Sequence, residues 1–275
     1  MLSQMDNEVV FMDEEIKSVA CQIVEKIARK LKKTTKTEIH RLSTNIGVGA
    51  DGTPTKYIDK LAEDVALTVL KKADISLNLL SEEAGFLDTG GEYTVVLDPV
   101  DGTRNACRGI PFFSVSLAVG KTHLSDVILG IVKNIPTGEL FLAEQGHGAF
   151  CNNHRIGIPD VPSKELLMAV MLGAQGEPRS LSLVQNNKIR SLGSASLEMC
   201  MVAKGALDAY VVGREYLRIT DIAAATLIVK EAGGIVTTIQ GTSLEMPLNL
   251  EERTSLIAAG TEAMVDLILK STDVP

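Results

Sequence analysis

The feature that most constrains this chain is an apolar run, Tyr93 to Leu97, that ends abruptly in Asp98-Pro99-Val100-Asp101-Gly102-Thr103. So apolar a run reads as a buried strand, and a buried strand delivers whatever follows it to a fixed point. Here it delivers two carboxylates three residues apart, with the backbone carbonyl of Val100 between them. Pro99 stiffens the turn, and Gly102 lets backbone come close to a ligand. Hard oxygen ligands of this kind suit magnesium. A helix opening near Gly102 would also turn free N–H groups toward a phosphate. Asp-Pro and Asp-Gly are equally good turn sequences, so other residues must decide.

Two further acidic sites follow the same logic. Ser81-Glu82-Glu83 closes the apolar run Ile75 to Leu80, and neighbouring carboxylates repel unless a cation stands by. Asp221 heads a predicted helix, Ile222 to Glu231, where an N-cap role alone would satisfy it. Taken singly, an exposed acidic turn and a helix cap are the simpler readings.

Composition narrows the class. The 275 residues are 45% hydrophobic and 23% charged, as in an ordinary globular protein. A net charge of -8 argues against a general nucleic-acid binder, which would present a basic surface. The four cysteines form no C-x-x-C pair, so a reduced cytoplasmic setting is expected. Met1 to Glu15 lacks the features of a signal peptide, and no stretch approaches a bilayer span. The sequence therefore predicts a soluble protein with neither a membrane nor a nucleic-acid partner.

Periodicity predicts helices over about 12–33, 56–72, 194–204, 222–231 and 261–269, with a short one at 180–185. Strands are expected at 75–80, 93–97, 114–119, 127–133, 139–143, 166–172, 209–212, 235–238 and 257–259. The Gly-, Ser- and Thr-rich segment Ser43 to Thr55 reads as a mobile loop. The pattern implies an α+β half, residues 1–160, carrying Glu82, Asp98 and Asp101. An α/β half, residues 161–275, carries Asp221.

Asp98-Pro99-Val100-Asp101-Gly102-Thr103 with Asn105 and Gly109 to Ala118, followed by Asp221-Ile222-Ala223-Ala224-Ala225 running to Glu231-Ala232-Gly233-Gly234, resembles the two motifs of the inositol monophosphatase family. Ser81-Glu82-Glu83 resembles its acidic segment, and Arg190 to Glu198 with Asp208-Ala209-Tyr210 its substrate-contacting stretch. The segment Gly49 to Lys56 with Asp59 is most similar to the archaeal branch, whose members often act on both fructose 1,6-bisphosphate and inositol monophosphate. The resemblance implies a layered αβαβα sugar-phosphatase fold with mixed sheets, a homodimer, and two or three Mg2+ per active site, with Mn2+ an alternative. It implies metal ligation by Glu82, Asp98, the Val100 carbonyl, Asp101 and Asp221, with Asp59 near a weaker third site. Glu82 and Thr103, with Asp101, would serve the attacking water, and Glu83 would hold the loop. Gly102, Thr103, Gly193, Ser194, Asp101 and Asp221 would line the substrate, a sugar or polyol phosphate.

Departures from the family pattern bear on substrate. Thr220 stands where many members have Trp, and Arg214 where polyol-specific members have an acidic residue. Arg214, with Arg218, Arg179 and Arg190, is suited to gripping a second phosphate by paired hydrogen bonds. Fructose 1,6-bisphosphate is therefore the expected preference over inositol 1-phosphate. A 3'(2'),5'-bisphosphate nucleotidase and a non-catalytic regulatory member are the alternatives.

Other signals carry less. Gly47-Val48-Gly49-Ala50-Asp51-Gly52 matches G-x-G-x-x-G, but no apolar strand leads into it and Pro54 interrupts the helix it should open; a lid is expected there instead. His147, Cys151 and His154 fall around a turn and read as structural. No G-x-S-x-G elbow supports serine catalysis.

Overall fold

In the computed structural model, which describes residues 13–50, 52–159, 166–171 and 187–271, the first periodic stretch forms α1 (Glu14–Thr37). Asp13 caps it by accepting from the Glu15 N–H at 2.8 Å. Its Ile16, Val19, Ile23, Ile27 and Leu31 share one face and are buried, as helical spacing requires. Helix α2 (Ile39–Leu42) leads to a hairpin of β1 (Asn45–Val48) and β2 (Pro54–Lys56), and α3 (Tyr57–Leu70) follows. Within the segment read as a mobile loop the chain thus forms an antiparallel hairpin, which the sequence did not predict. Its pairing is made by backbone alone, in a segment with no apolar alternation to announce it.

The next strands are β3 (Asn78–Ser81), β4 (Gly85–Leu87) and β5 (Thr94–Asp101). Then come α4 (Thr103–Arg108), β6 (Ser114–Gly120), β7 (Leu129–Asn134), β8 (Leu140–Glu144), β9 (Gly148–Cys151) and β10 (His154–Ile156). These strands build a sheet in the order β10-β9-β8-β7-β6-β5-β3-β4, antiparallel except where β3 runs parallel to β5. A second, five-stranded sheet is ordered β12-β11-β13-β15-β14, from β11 (Leu167–Val170), β12 (Lys188–Arg190), β13 (Ala209–Leu217), β14 (Ile235–Thr237) and β15 (Thr254–Ala259). Helices α5 (Ala195–Ala203) and α6 (Ile219–Glu231) lie between the sheets, and α7 (Glu262–Ser271) covers the outer face of the second. The predicted helix at 180–185 and the boundary near residue 160 fall outside the described residues.

Alternation along the strands explains the layering. Leu79, Val95, Leu97, Val115 and Leu117 pack on α1 and α3, whereas Leu80, Val96, Ala118, Val132 and Phe141 face the α5–α6 layer. A third core joins the second sheet to α7. The result is the layered αβαβα arrangement with mixed sheets that the resemblance implied. Helix α6 is buried on nearly every side, so its sequence is apolar all round rather than striped. Gly130 on β7 admits it closely: a Cβ there would lie 2.5 Å from the Ala224 carbonyl oxygen. None of the helices among the described residues is long and apolar enough to cross a membrane.

Candidate active site

Strand pairing brings the acidic residues together. In the parallel pair β3–β5, Ser81 lies opposite Leu97, so Glu82 and Asp98 leave adjacent strand ends side by side. Neighbouring strands run about 4.8 Å apart. Past Asp98 the ladder slips: Asp98 pairs with Ser116 and Asp101 with Ser114, leaving Pro99 and Val100 opposite a single residue. That is a β-bulge, and Pro99, lacking an N–H, can sit there without losing a ladder bond. The Val100 N–H instead donates to Asp98 Oδ1 at 2.9 Å, which fixes the carboxylate.

Asp221 arrives from the opposite side. It is the third residue of α6, not its N-cap as expected from sequence; Arg218 holds that position, and its N–H donates to Asp221 Oδ2 at 2.7 Å. One carboxylate oxygen each from Glu82, Asp98 and Asp221 lies within 4.8 Å of the other two. Asp98 and Asp221 are buried, at 6% and 7% exposure. Burial, reinforced by repulsion from Glu82, Asp101 and Asp221, pushes the Asp98 carboxyl well above the usual range, with Arg218 pulling the other way. Crowded, desolvated carboxylates on an otherwise apolar scaffold form a donor set suited to a divalent cation.

Two neighbours moderate this charge. Arg218 Nη1 lies 2.8 Å from Glu82 Oε2, and its Nε 3.5 Å from Asp221 Oδ2. Thr220 donates its hydroxyl to Glu82 Oε1 at 3.0 Å. Sequence reasoning assigned Arg218 to substrate and gave Thr220 no part. Both stand within three residues of Asp221, on the turn that starts α6, which was the available signal.

Asp101 is outside this three-way cluster. Its Oδ2 accepts from the Ser194 hydroxyl at 2.6 Å and the Ser196 N–H at 2.8 Å, and its Oδ1 from the Ala195 N–H at 3.2 Å. It thus serves the first turn of α5, whose own N-cap, Ser194, makes no side-chain cap. Burial raises the Asp101 carboxyl, and the bonds from Ser194 and Ser196 oppose the shift.

On the other flank, Thr103 Oγ1 lies 2.9 Å from the Val100 carbonyl and 3.1 Å from Asp59 Oδ1. With one proton, it donates to one of them at a time. Desolvation raises Asp59 to about 6 against the pull of the Thr103 bond. Glu83 turns away and accepts from the Thr55 hydroxyl, tying the β1–β2 hairpin to this turn. Glu63, fully buried, accepts from Ser81 and from the Ala84 N–H at 2.8 Å, so it holds the turn that presents Glu82. Glu63 was missed, although an acidic residue on the apolar face shared by Ile58, Ala62 and Ala66 was a legible sign.

Gly102 caps α4 with φ +88°, where a Cβ would meet the Gly193 carbonyl at 3.0 Å and the Phe112 carbonyl at 3.2 Å. Gly138 has φ +85° with nothing nearby. Gly102→Ala is therefore expected to cost more than Gly138→Ala, which carries only the conformational penalty of about 1 kcal/mol; equal melting temperatures would contradict the crowding. Arg214 sits where Gly213 to Tyr216 bulge out between the Val212 and Leu217 pairings on β13, and it is half-buried. Arg190 is exposed and donates to the Ile189 carbonyl at 2.9 Å. Arg179 and Asp51 lie outside the described residues. His147, in the β8–β9 turn, and His154, at the start of β10, each bond a carbonyl two residues back and are exposed, at opposite ends of β9.

The sequence pattern of the inositol monophosphatase family matches residues 7–273. The chain belongs to the inositol monophosphatase family. A fructose-1,6-bisphosphatase/inositol-1-monophosphatase of Methanothermobacter thermautotrophicus is 39% identical, over 94% of this chain and 96% of its own. A bifunctional NADP phosphatase/NAD kinase of Methanococcus maripaludis is 38% identical over 85% of this chain and 46% of its own length. Among solved structures, a Pyrococcus horikoshii protein described as having similarities for inositol-1 monophosphatase superposes with a TM-score of 0.82. It is 31% identical, covering 95% of this chain and 99% of its own. Membership in this phosphatase family fits the acidic cluster, whose donor set could hold a metal ion.

Proposed function

We propose that the chain is a Mg2+-dependent phosphate monoester hydrolase acting on fructose 1,6-bisphosphate and inositol 1-phosphate. The convergence of Glu82, Asp98 and Asp221 carries this reading, because two buried carboxylates and a partly buried third, each with an oxygen within 4.8 Å of the others, make a donor set suited to a divalent cation. Those three would hold the metal, with the Val100 carbonyl and Asp101 Oδ1 completing the set and Asp59 serving a weaker third position. When bound, a divalent cation supplies charge neutralisation for phosphoryl oxygens and eases loss of a proton from water.

The chain's own groups do the rest. Glu82 and Thr103 orient the attacking water, since the Thr103 hydroxyl sends its proton to Val100 or Asp59 and leaves its lone pairs for that water. Asp101 accepts from the Ser194 hydroxyl and the Ala195 N–H, which would hold Ser194, and Gly193 before it, against the substrate. Gly102 and the first N–H groups of α4 face the phosphate.

The homodimer comes from family resemblance, the cytoplasmic setting from the cysteine pattern, and magnesium from the resemblance together with the hard oxygen donors. Phosphate release from fructose 1,6-bisphosphate, inositol 1-phosphate, NADP and an adenosine 3',5'-bisphosphate, with and without magnesium, tests the reading. Magnesium-independent release, or none from any ester, would refute it, and the latter would favour a regulatory member.

Arg214, projected from the β13 bulge, is the residue proposed to grip the second phosphate. Arg214→Ala is expected to raise KM for fructose 1,6-bisphosphate about tenfold or more, the loss of one charge-assisted contact. KM for inositol 1-phosphate should change less than about twofold. Equal changes for both esters would remove Arg214 from selection.

A further inference from the structure

Five consecutive backbone N–H groups at the start of α5, from Leu192 to Ser196, are turned onto two buried carboxylates. The N–H groups of Ala195 and Ser196 go to Asp101. Those of Leu192, Gly193 and Ser194 go to Glu198, which stands in the first turn of α5. Every helix start leaves such donors without partners inside the helix, and a short cap or water usually satisfies them. Here they lie in the short loop between β12 and α5, the loop that carries Gly193 and Ser194.

Glu198 is 2% exposed, and its neighbours on α5, Leu197, Met199, Cys200 and Val202, are buried and apolar. An apolar side chain would suit such a place better than a carboxylate, whose burial is costly unless it is bonded. The bonds are there. The Leu192 N–H lies 2.8 Å from Glu198 Oε1, and the Glu198 N–H returns to the Ser194 carbonyl at 2.9 Å. Burial still pushes the Glu198 carboxyl up to about 7, against the pull of the Leu192 N–H, so the residue costs the fold stability at neutral pH. Departures of this kind from local rules gather at functional sites.

The Leu192–Gly193 peptide is held from its other side as well. Asn105, on α4, donates its amide to the Leu192 carbonyl and to the Phe112 carbonyl, each at 2.7 Å. Gly193 has φ +87°, and a Cβ there would lie 3.2 Å from Asn105 Nδ2. One peptide unit thus has its carbonyl on Asn105 and its N–H turned to Glu198. We infer that Glu198 is a positioning residue of the proposed phosphatase, acting through the backbone of Leu192, Gly193 and Ser194 to hold that loop at the substrate. Asn105 is its counterpart on the carbonyl side. The inference rests on the phosphatase reading for the place of the substrate.

Glu198→Gln keeps the shape, but one of its two terminal atoms becomes a donor that faces donors. KM for inositol 1-phosphate is expected to rise about tenfold, the loss of a bond to a charged group, while kcat stays within about twofold. The Kd for Mn2+ should change less than about twofold, because Glu198 is outside the cluster of Glu82, Asp98 and Asp221. Amide exchange in the metal-free protein without substrate should quicken at least about tenfold at Leu192, Gly193 and Ser194 and stay unchanged within α6. A role confined to stability would instead lower the folded fraction, hence the apparent kcat at constant KM, and quicken exchange everywhere. Asn105→Ala should raise KM in the same way, and the double variant should fall short of the product of the two single effects. If Glu198→Gln does not fold, Glu198→Asp, which keeps the charge but is one methylene short, carries the same KM and exchange expectations. Unchanged KM, or a fall in kcat alone, in a parent that releases phosphate would overturn the positioning role and leave the phosphatase reading intact. No release by the parent would sink that reading, and the role in hydrolysis with it.

Discussion

Replacing Asp98 by Asn is expected to abolish nearly all phosphate release while raising the melting temperature of the metal-free protein. The two effects share one cause. Asp98 is buried next to Glu82, Asp101 and Asp221, and its carboxyl is pushed well above the usual range by burial first and by those charges second. An amide of the same shape still accepts the Val100 N–H but carries no charge. Turnover should fall by at least about 10^3-fold, or about 4 kcal/mol of barrier, if the cation site loses a central ligand.

The sign of the stability effect depends on pH. A carboxyl whose folded-state pKa is raised stabilises the fold fully only below its unfolded value, about 3.9, and that contribution is lost as pH climbs through the folded value. Asp59, raised to about 6, and Glu198, raised to about 7, both by burial, act in the same direction. The metal-free protein should therefore lose stability between about pH 4 and pH 7. Asp98→Asn should lose less, so the gap between the two melting curves should widen from pH 5 to pH 8. With saturating magnesium the order should reverse, because only the unaltered site gains binding energy. A variant less stable than the parent at pH 8 in a chelator would refute the repulsion argument.

Sequence reasoning located most of this chemistry because it was written in local pattern. The strand before Asp98, the run before Glu82 and the periodicity of α1, α3 and α6 are properties of short segments, and the structure has each of those elements. What could not be read was set by contacts distant in sequence. The bonds that Asp101 accepts from Ser194, Ala195 and Ser196 could not be read from the local motif, because their partners lie some ninety residues on, at the start of α5. The β1–β2 hairpin escaped notice because backbone pairing in a glycine-rich segment leaves no apolar alternation. The cap of α6 was misplaced by three residues because Asp221 caps from inside the helix, accepting from the Arg218 N–H. Phe86 and Leu250 carry no motif at all; only the fold brings β4 beside the segment that leads into β15, so that both line one cavity.

Arg218→Ala should tighten divalent-cation binding and weaken the metal-free fold, a pair of outcomes that a simple phosphate-gripping role does not produce. Its guanidinium lies 2.8 Å from Glu82 and 3.5 Å from Asp221, and both are members of the acidic cluster. A cation entering among those oxygens meets competition from a positive charge already there. The pair is partly solvated, with side chains 21% and 16% exposed, so its strength falls well below the few kcal/mol of a fully buried pair. Removing the competitor is expected to lower the Kd for Mn2+, used as the probe, by about 5- to 30-fold, which corresponds to roughly 1–2 kcal/mol. The metal-free melting temperature should drop, because Glu82, Asp98 and Asp221 then repel with less compensation. Arg218→Lys, which keeps the charge but not the fork, should fall between the two. If Mn2+ binds Arg218→Ala no more tightly than the parent and only KM for the bisphosphate rises, Arg218 holds substrate and does not compete with the metal. In that case Thr220, whose hydroxyl also donates to Glu82, is a group that moderates the cluster's charge.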